Sequence, residues 1–164
     1  MTLPEVLRDQ RQELDRGLQG LSLIPREAEK NLWQTSSLIH VVSGVRRCGK
    51  SVLIYKLLQG KDFGYVNFDD DRLLNVEPND ILAGLYNVYG KQLNTLFLDE
   101  IQNLEHWELF VNRLHRAGFR LFLTGSNAKL LAKEMATHLT GRHLTLELFP
   151  FSFLERQGSE NAGI

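Results

Sequence analysis

The chain has 164 residues, of which 43% are apolar and 24% charged, and its formal net charge of −1 gives no support for nucleic acid or an anionic membrane as a partner. This length predicts one domain with an ordinary hydrophobic core. The single cysteine excludes an internal disulfide and fits a cytoplasmic location, while the charged first segment and the lack of an apolar run of about 18 residues argue against a signal peptide and a membrane span.

Residues 1–36 predict a helical lead-in to the domain. Apolar side chains recur at helical spacing through its first segment, until Gly17 and Gly20 end the pattern. These side chains are Leu3, Val6, Leu7, Leu14 and Leu18. The resulting amphipathic helix is expected to contact its own core, a partner or another domain. The segment REAEKNLWQ, residues 26–34, predicts a second short helix.

The core, predicted for residues 37–157, begins with a phosphate-binding loop. The apolar strand LIHVVSG runs into residues 44–51, GVRRCGKS, which match the pattern G-x-x-x-x-G-K-[ST] at every fixed position. Glycines let backbone N–H groups turn inward as an anion-binding nest, and the next helix, SVLIYKLLQG, directs its positive end toward the same place. We therefore predict a nucleotide-phosphate site. Its predicted contacts are Gly44, Val45, Arg46, Arg47, Cys48, Gly49, Lys50, Ser51 and Val52.

Side chains within this loop have different predicted roles. Lys50 supplies a mobile charge for the outer phosphates, and the hydroxyl of Ser51 can ligate Mg²⁺. Arg46 and Arg47 contact phosphate or a partner, or are simply solvated. Cys48 is expected to fill the loop rather than to act as a nucleophile, because no histidine is paired with it locally.

Two acidic segments follow the next two predicted strands. FGYVNFDDD ends in residues 69–71, which lie at the ligand-bearing edge of a parallel sheet and face either the nucleotide or solvent. After the helix PNDILAGLYNVYGK, the strand TLFLDE ends in Asp99 and Glu100. We predict that Asp99 holds the Mg²⁺ hydration shell and that Glu100 polarises an attacking water. The alternative is that this pair caps a helix N-terminus.

Small polar residues follow the fourth predicted strand. The helix HWELFVNRLHRAG, with Trp107 and Phe110 as core aromatics, leads into FRLFLTGS. Thr124, Ser126 or Asn127 could hydrogen-bond the γ-phosphate or the water. Ser126 or Asn127 could also cap the next helix, NAKLLAKEMATHL, and the two interpretations are compatible.

HLTLELF completes five apolar strands that alternate with helices. Strands that are apolar nearly throughout are typical of sheets covered on both faces. The pattern predicts an α/β fold with three layers around a mostly parallel five-stranded sheet. The five histidines show no metal-ligand spacing.

Particular segments resemble the AAA-14 family of ATPase domains within the AAA+ superfamily. They are SGVRRCGKS, FDDDRL, LFLDEIQNLEHWE, LFLTGSNAKLL and HLTGRHLTLELFPFSFLE, and the resemblance covers roughly residues 25 to 157. It implies a P-loop NTPase fold with strand order 5-1-4-3-2, together with ATP, Mg²⁺ and hydrolysis driven by the glutamate.

The resemblance also carries implications for assembly. Arg142, in LTGRHLTLEL, would be an arginine finger that reaches the γ-phosphate of a neighbouring subunit in a homo-oligomer, or else a structural arginine. Members of the family continue into a separate C-terminal domain, so residues 158–164 are expected to start a linker to a missing region that engages an unknown partner.

Three functions remain open from the residues. The first is an Mg²⁺-dependent ATPase that drives conformational change, the second an ATP-operated binding switch with little turnover, and the third a phosphotransferase. Glu100 beside Asp99 favours the first over the third. Guanine specificity has no support, because the sequence contains no N-K-x-D motif.

Overall fold

The computed structural model describes residues 1–20 and 37–150. The predicted second short helix and the linker at residues 158–164 lie outside the described residues. The helices are α1 (Leu3–Leu18), α2 (Lys50–Leu58), α3 (Pro78–Tyr89), α4 (Trp107–Arg116) and α5 (Ala128–His138). The strands are β1 (Ile39–Ser43), β2 (Gly64–Asn67), β3 (Thr95–Asp99), β4 (Arg120–Gly125) and β5 (His143–Glu147). Short 3-10 turns occupy Asp71–Leu73 and Ile101–Asn103.

The strands form one sheet in the order β2-β3-β4-β1-β5, and every neighbouring pair is parallel. This confirms the predicted α/β class and strand order. Ser43 pairs in register with Gly125 and Glu147, and Asn67 pairs with Asp99. The carboxyl ends of all five strands therefore meet at one edge of the sheet, where ligands of such folds bind.

Alternate residues of the strands pack into two apolar cores, one on each face of the sheet. Val41, Leu98 and Leu123 pack on one face against α1, α3, α4 and α5. On the other face, Val42 and Phe97 pack against α2. Both β1 and β3 are buried along their full length, because helices cover both faces of the sheet there. The result is the predicted three-layer arrangement.

The lead-in helix α1 packs against its own domain. Leu7 is fully buried, and it lies over α3 at Gly84, where an added Cβ would come within 3.0 Å of Leu7 Cδ1. Burying such a leucine contributes about 1.5–3 kcal/mol. Gln10 continues the contact, because its amide donates to Asn67 O at 3.1 Å and its Oε1 accepts from Asn67 N at 3.0 Å. The sequence left open whether this helix contacts its own core, a partner or another domain, and the structure shows the contact with its own core.

Two further sequence predictions concern the core and the membrane. Trp107 and Phe110 on α4 are buried in the larger apolar cluster, which confirms them as core aromatics.

Among the helices within residues 1–20 and 37–150, none has the length and apolar character needed to cross a membrane.

Candidate active site

The loop of residues 44–51 leaves β1 and enters α2 at the shared carboxyl edge of the sheet. An added Cβ at Gly44 would lie 2.3 Å from Leu148 O, so no other residue fits there without a backbone shift. Gly49 takes the N-cap position of α2 with φ 91°, a left-handed conformation that glycine adopts without a steric penalty. Cys48 is buried against apolar residues under the loop. The glycines thus let the chain turn sharply and bring the start of α2 to this edge.

Lys50 is the buried cation of the loop, with 4% of its side chain exposed. Its ammonium donates a hydrogen bond to Val45 O at 3.1 Å and lies 3.7 Å from Glu100 Oε1. The lysine therefore lies across the loop, with its charge directed at the second of the two acids.

Asp99, the last residue of β3, is buried and accepts hydrogen bonds from three hydroxyls. Ser51 Oγ donates to Oδ1 at 2.9 Å, Tyr65 OH donates to Oδ2 at 2.9 Å, and Thr124 Oγ1 also donates to Oδ1. Burial raises the pKa of Asp99, and the hydrogen bonds from Thr124, Ser51 and Tyr65 oppose that rise. The three hydroxyls fix the carboxylate beside the loop serine.

Glu100 follows in the left-handed region, with φ 52°. Its backbone N–H donates to Thr124 Oγ1 at 2.9 Å. Its Oε2 accepts from Gln102 Nε2 at 2.7 Å and from the backbone N–H of Ser126 at 3.2 Å. Glu100 precedes the 3-10 turn Ile101–Asn103 but makes no side-chain capping hydrogen bond. Glu100 thus takes the N-cap position of this turn, while its carboxylate is engaged by Gln102 and Ser126.

The three polar residues after β4 take different places. Thr124 is fully buried between Asp99 and the Glu100 backbone. Ser126 lies beside Glu100 and accepts from Gln102 Nε2 at 3.2 Å. Asn127 caps α5, because its side chain accepts from Leu130 N at 3.0 Å. The structure thus brings Thr124 and Ser126 to the acids, while the side chain of Asn127 is engaged at the helix cap.

An open cleft of about 380 Å³ adjoins the loop. Its lining residues are Arg46, Arg47, Gly49, Lys50, Ser51, Val52, Asp69 and Glu100. Arg46 is 72% exposed and pairs with Asp69 at 3.2 Å, and Asn103 also donates to Asp69, at 3.3 Å. The first acid after β2 therefore faces the cleft. Asp70 instead accepts hydrogen bonds from Arg72 and Gln10.

Arg142 lies away from this cleft. It directly precedes β5, and its carbonyl accepts from Ile39 N at 2.8 Å at the start of β1. Its guanidinium donates to Asn112 Oδ1 at 2.6 Å. Because β1 and β5 are parallel, Arg142 sits at the amino edge of the sheet, opposite the loop. A contact with the site of a neighbouring subunit stays a prediction.

The donor set fits a hard cation. Ser51 and Asp99 present a hydroxyl and a carboxylate oxygen 2.9 Å apart, and Mg²⁺ is bound by one or two such protein ligands together with phosphate oxygens and waters. Within the part of the chain that the structure describes, no cluster of three or more His, Cys, Asp or Glu side chains could hold a metal on its own.

The AAA-14 family of AAA domains matches residues 36–157. The chain belongs to this family. Membership of AAA-14 indicates a nucleotide-binding domain of ATPase-like character.

Relatives of this AAA-14 chain are longer proteins. The uncharacterized protein MJ1544 of Methanocaldococcus jannaschii is 43% identical over 123 residues, which make up 71% of this chain and 27% of that protein. An uncharacterized protein of Haemophilus influenzae is 37% identical over 142 residues, 79% of this chain and 35% of that protein. The chain therefore spans about a third of the length of the curated relatives it matches.

Sequence reasoning did not find all residues of the candidate site. Gln102 contacts Glu100, and Asn103 contacts Asp69. Their position just after the acidic pair could have identified them as site residues. Tyr65 carried no such signal, because its hydrogen bond to Asp99 depends on the pairing of β2 with β3.

Proposed function

We propose that this AAA-14 chain binds ATP together with Mg²⁺ and hydrolyses it, and that turnover drives a conformational change. The observation that carries the proposal is a double contact. Ser51 Oγ lies 2.9 Å from Asp99 Oδ1, and Lys50 Nζ lies 3.7 Å from Glu100 Oε1. Two loop side chains suited to phosphate and metal thus face two acids suited to metal and water.

Binding would use the loop of residues 44–51. Backbone N–H groups and the N-terminus of α2 attract phosphate oxygens, and Lys50 moves from Glu100 to the outer phosphates. Arg46 and Arg47, on the rim of the cleft, lie where they can contact the nucleotide. Val45, Cys48 and Val52 contribute backbone groups and loop shape, since two of them are apolar and the thiol is buried.

Ser51 and Asp99 would hold Mg²⁺, directly through the hydroxyl and through bound water at the carboxylate. The ion supplies neutralisation of charge on the phosphates. The residues of the chain would position the ion, because the hydroxyls of Tyr65 and Thr124 hold the carboxylate of Asp99 in one position.

Glu100 would act as the general base that takes a proton from the attacking water. Thr124 fixes the backbone at this residue, and Ser126 contacts its carboxylate. We retain Ser126 and Asn127 as candidates for contacts with the γ-phosphate or the water. A side-chain contact from Asn127 would compete with its capping bond to Leu130 N.

A binding switch with little turnover is the second candidate. The place of Arg142 favours it, since this arginine lies at the opposite edge of the sheet and cannot add positive charge to the site of its own chain. ATP would then order a binding surface, and hydrolysis would be slow until a neighbouring subunit or partner supplies the missing charge. We propose a homo-oligomer in this context, because Arg142 could reach a nucleotide only on another copy of the chain. We also propose an unknown protein partner, because the relatives are about three times longer. The single cysteine supports a cytoplasmic location.

Phosphate release separates these candidates. The assay compares ATP, GTP and buffer alone, with Lys50→Ala as the matched variant. We expect release from ATP with the wild type and an affinity for ATP that falls by about tenfold or more in Lys50→Ala. A turnover below about 1 s⁻¹ with tight binding favours the switch. Equal affinity of the wild type and Lys50→Ala for a fluorescent ATP analogue contradicts the proposed site.

A further inference from the structure

The two oxygens of the Glu100 carboxylate are held in different ways. Oε1 lies 3.7 Å from the ammonium of Lys50. Oε2 accepts from the Gln102 side chain at 2.7 Å and from the Ser126 backbone at 3.2 Å. When Lys50 turns to the outer phosphates, its contact with Oε1 is lost. The contacts at Oε2 involve no residue of the loop, so they can persist while nucleotide is bound.

We propose that Gln102 is the positioning residue of Glu100. Its side-chain amide holds the carboxylate in the orientation from which it activates water, and it ties that carboxylate to the end of β4 through Ser126. The inference rests on the proposed function, since it assigns Gln102 a role in the hydrolysis attributed to Glu100.

The amide of Gln102 is itself fixed by its surroundings. Gln102 is the central residue of the 3-10 turn Ile101–Asn103, whose first residue, Ile101, is fully buried in the core. The turn is closed by Asn103 N donating to Glu100 O at 3.1 Å. At Gly125 an added Cβ would lie 2.9 Å from Gln102 Oε1, so the amide packs directly against the backbone of β4. Gln102 therefore has little freedom to leave Glu100.

The orientation of this amide points to function. Its Nε2 donates to both Glu100 Oε2 and Ser126 Oγ, whereas its Oε1 is buried without a hydrogen-bond partner among the described residues. The opposite orientation would set Oε1 against a carboxylate oxygen and lose the bond donated to Glu100. The bond that Nε2 donates to the Glu100 carboxylate therefore sets the orientation of the amide.

The test replaces the amide while keeping the length of the side chain. Gln102→Met removes both donors and retains a flexible chain of similar size. We expect kcat to fall by about tenfold to a hundredfold, as for a catalytic group that is no longer held in place, while the dissociation constant for ATP stays within about twofold. Gln92→Met, an exposed glutamine beyond α3, is the matched control and should keep both values.

A double mutant separates positioning from a structural role. In the Glu100→Gln background, Gln102→Met should cause no further loss of kcat, because a residue that acts through Glu100 has nothing left to position. The same loss in both backgrounds, or a wild-type kcat in Gln102→Met, overturns the inference. If Gln102→Met does not fold, as judged by its circular dichroism and melting temperature, Gln102→Leu takes its place in the same cycle.

A spectroscopic measurement tests the contact without turnover. In a ¹⁵N-labelled chain without added nucleotide, a side-chain N–H of Gln102 that donates to a carboxylate should resonate downfield and shift back in Glu100→Gln. An amide resonance that does not respond to Glu100→Gln overturns the inference even if hydrolysis is normal. Absence of ATP hydrolysis by the wild type overturns the proposed hydrolysis, and with it the role of Gln102, whereas turnover that is insensitive to Gln102→Met overturns the inference alone.

Discussion

The backbone turn at Glu100 directs the side chains of Asp99 and Glu100 to different partners. Successive side chains of a regular strand point to opposite faces of the sheet. Glu100 leaves the strand conformation with φ 52°, which costs of order 1–3 kcal/mol for a residue other than glycine. The turn lets Asp99 stay with Ser51 while Glu100 reaches Lys50.

Glu100→Gln should keep ATP binding and slow turnover by about 10²-fold or more, as expected when a general base is lost. A titration with a fluorescent ATP analogue measures binding, and single-turnover phosphate release measures the chemical step. Glu105→Gln is the control, since the side chain of Glu105 is 89% exposed. Hydrolysis by Glu100→Gln at the wild-type rate would place the base at another residue.

Gly44→Ala should distort the loop and destabilise the fold. The added Cβ would lie 2.3 Å from Leu148 O and 2.9 Å from Cys48 Sγ, so the backbone must move. We expect the free energy of unfolding to fall by about 1–3 kcal/mol in urea denaturation, with weaker ATP binding. Gly17→Ala is the control, because nothing lies within 4 Å of its added Cβ. Equal stability of Gly44→Ala and the wild type would show that the loop can adapt.

Among the elements, α1 is joined to the rest by polar as well as apolar contacts. Gln10 Nε2 donates to Asp70 Oδ2 at 2.8 Å. Arg72 connects the same acid to α1, because it pairs with Asp70 at 2.7 Å and with Asp9 at 2.6 Å. The turn after β2 is thereby fastened to the lead-in helix.

This connection predicts a pH-dependent contribution to stability. The hydrogen bond from Arg72 lowers the pKa of Asp70 to about 2, against about 3.9 for an unfolded aspartate. A lowered folded pKa means that the stabilisation is complete above about pH 4 and is lost as the pH falls toward about 2. Asp70→Asn should therefore be less stable than the wild type at pH 7, with a difference that shrinks below about pH 4.

Urea denaturation at several pH values measures this difference. Asp71→Asn, at the exposed neighbouring residue, is the matched control and should follow the wild type. A stability difference between Asp70→Asn and the wild type that stays constant from pH 7 to pH 3 would contradict the assignment.

Elements were predictable from the sequence where their cause is local. The apolar runs of β1 and β3 follow from burial on both faces, and the glycines around Lys50 locate the loop. Contacts made across strands were not predictable in this way. Tyr65 reaches Asp99 only through the pairing of β2 with β3. The place of Asp69 at the cleft likewise depends on Arg46 and Asn103, which come from distant segments.

On the scale of the whole molecule, the parallel sheet places the phosphate-binding loop and Arg142 at opposite edges. All strands run in one direction, so the loop lies at one edge and Arg142 at the other. If Arg142 acts on ATP, it must act on a site of another copy, whose carboxyl edge faces this amino edge.

Mixing inactive variants tests that arrangement. Arg142→Ala combined with Lys50→Ala should regain part of the activity, because some sites then hold an intact loop beside an intact arginine. The specific activity of the wild type should also rise with protein concentration, and such arginines are worth about 10³-fold or more in rate. Arg116→Ala, an exposed arginine of α4, mixed with Lys50→Ala serves as the control for mixing. Flat specific activity without recovery would leave Arg142 as a structural partner of Asn112.

The cations of the cleft also bear on how the site discriminates among anions. Lys50 is paired with Glu100, and Arg46 with Asp69, so an anion that binds at either of these two cations must replace a carboxylate partner. A small anion such as sulfate or chloride can replace only one partner at a time, whereas a polyphosphate chain can replace both at once. Simple salts should therefore compete weakly with ATP for this site. Replacing Asp69 with asparagine should make sulfate a better competitor, because one cation would then lack its charged partner.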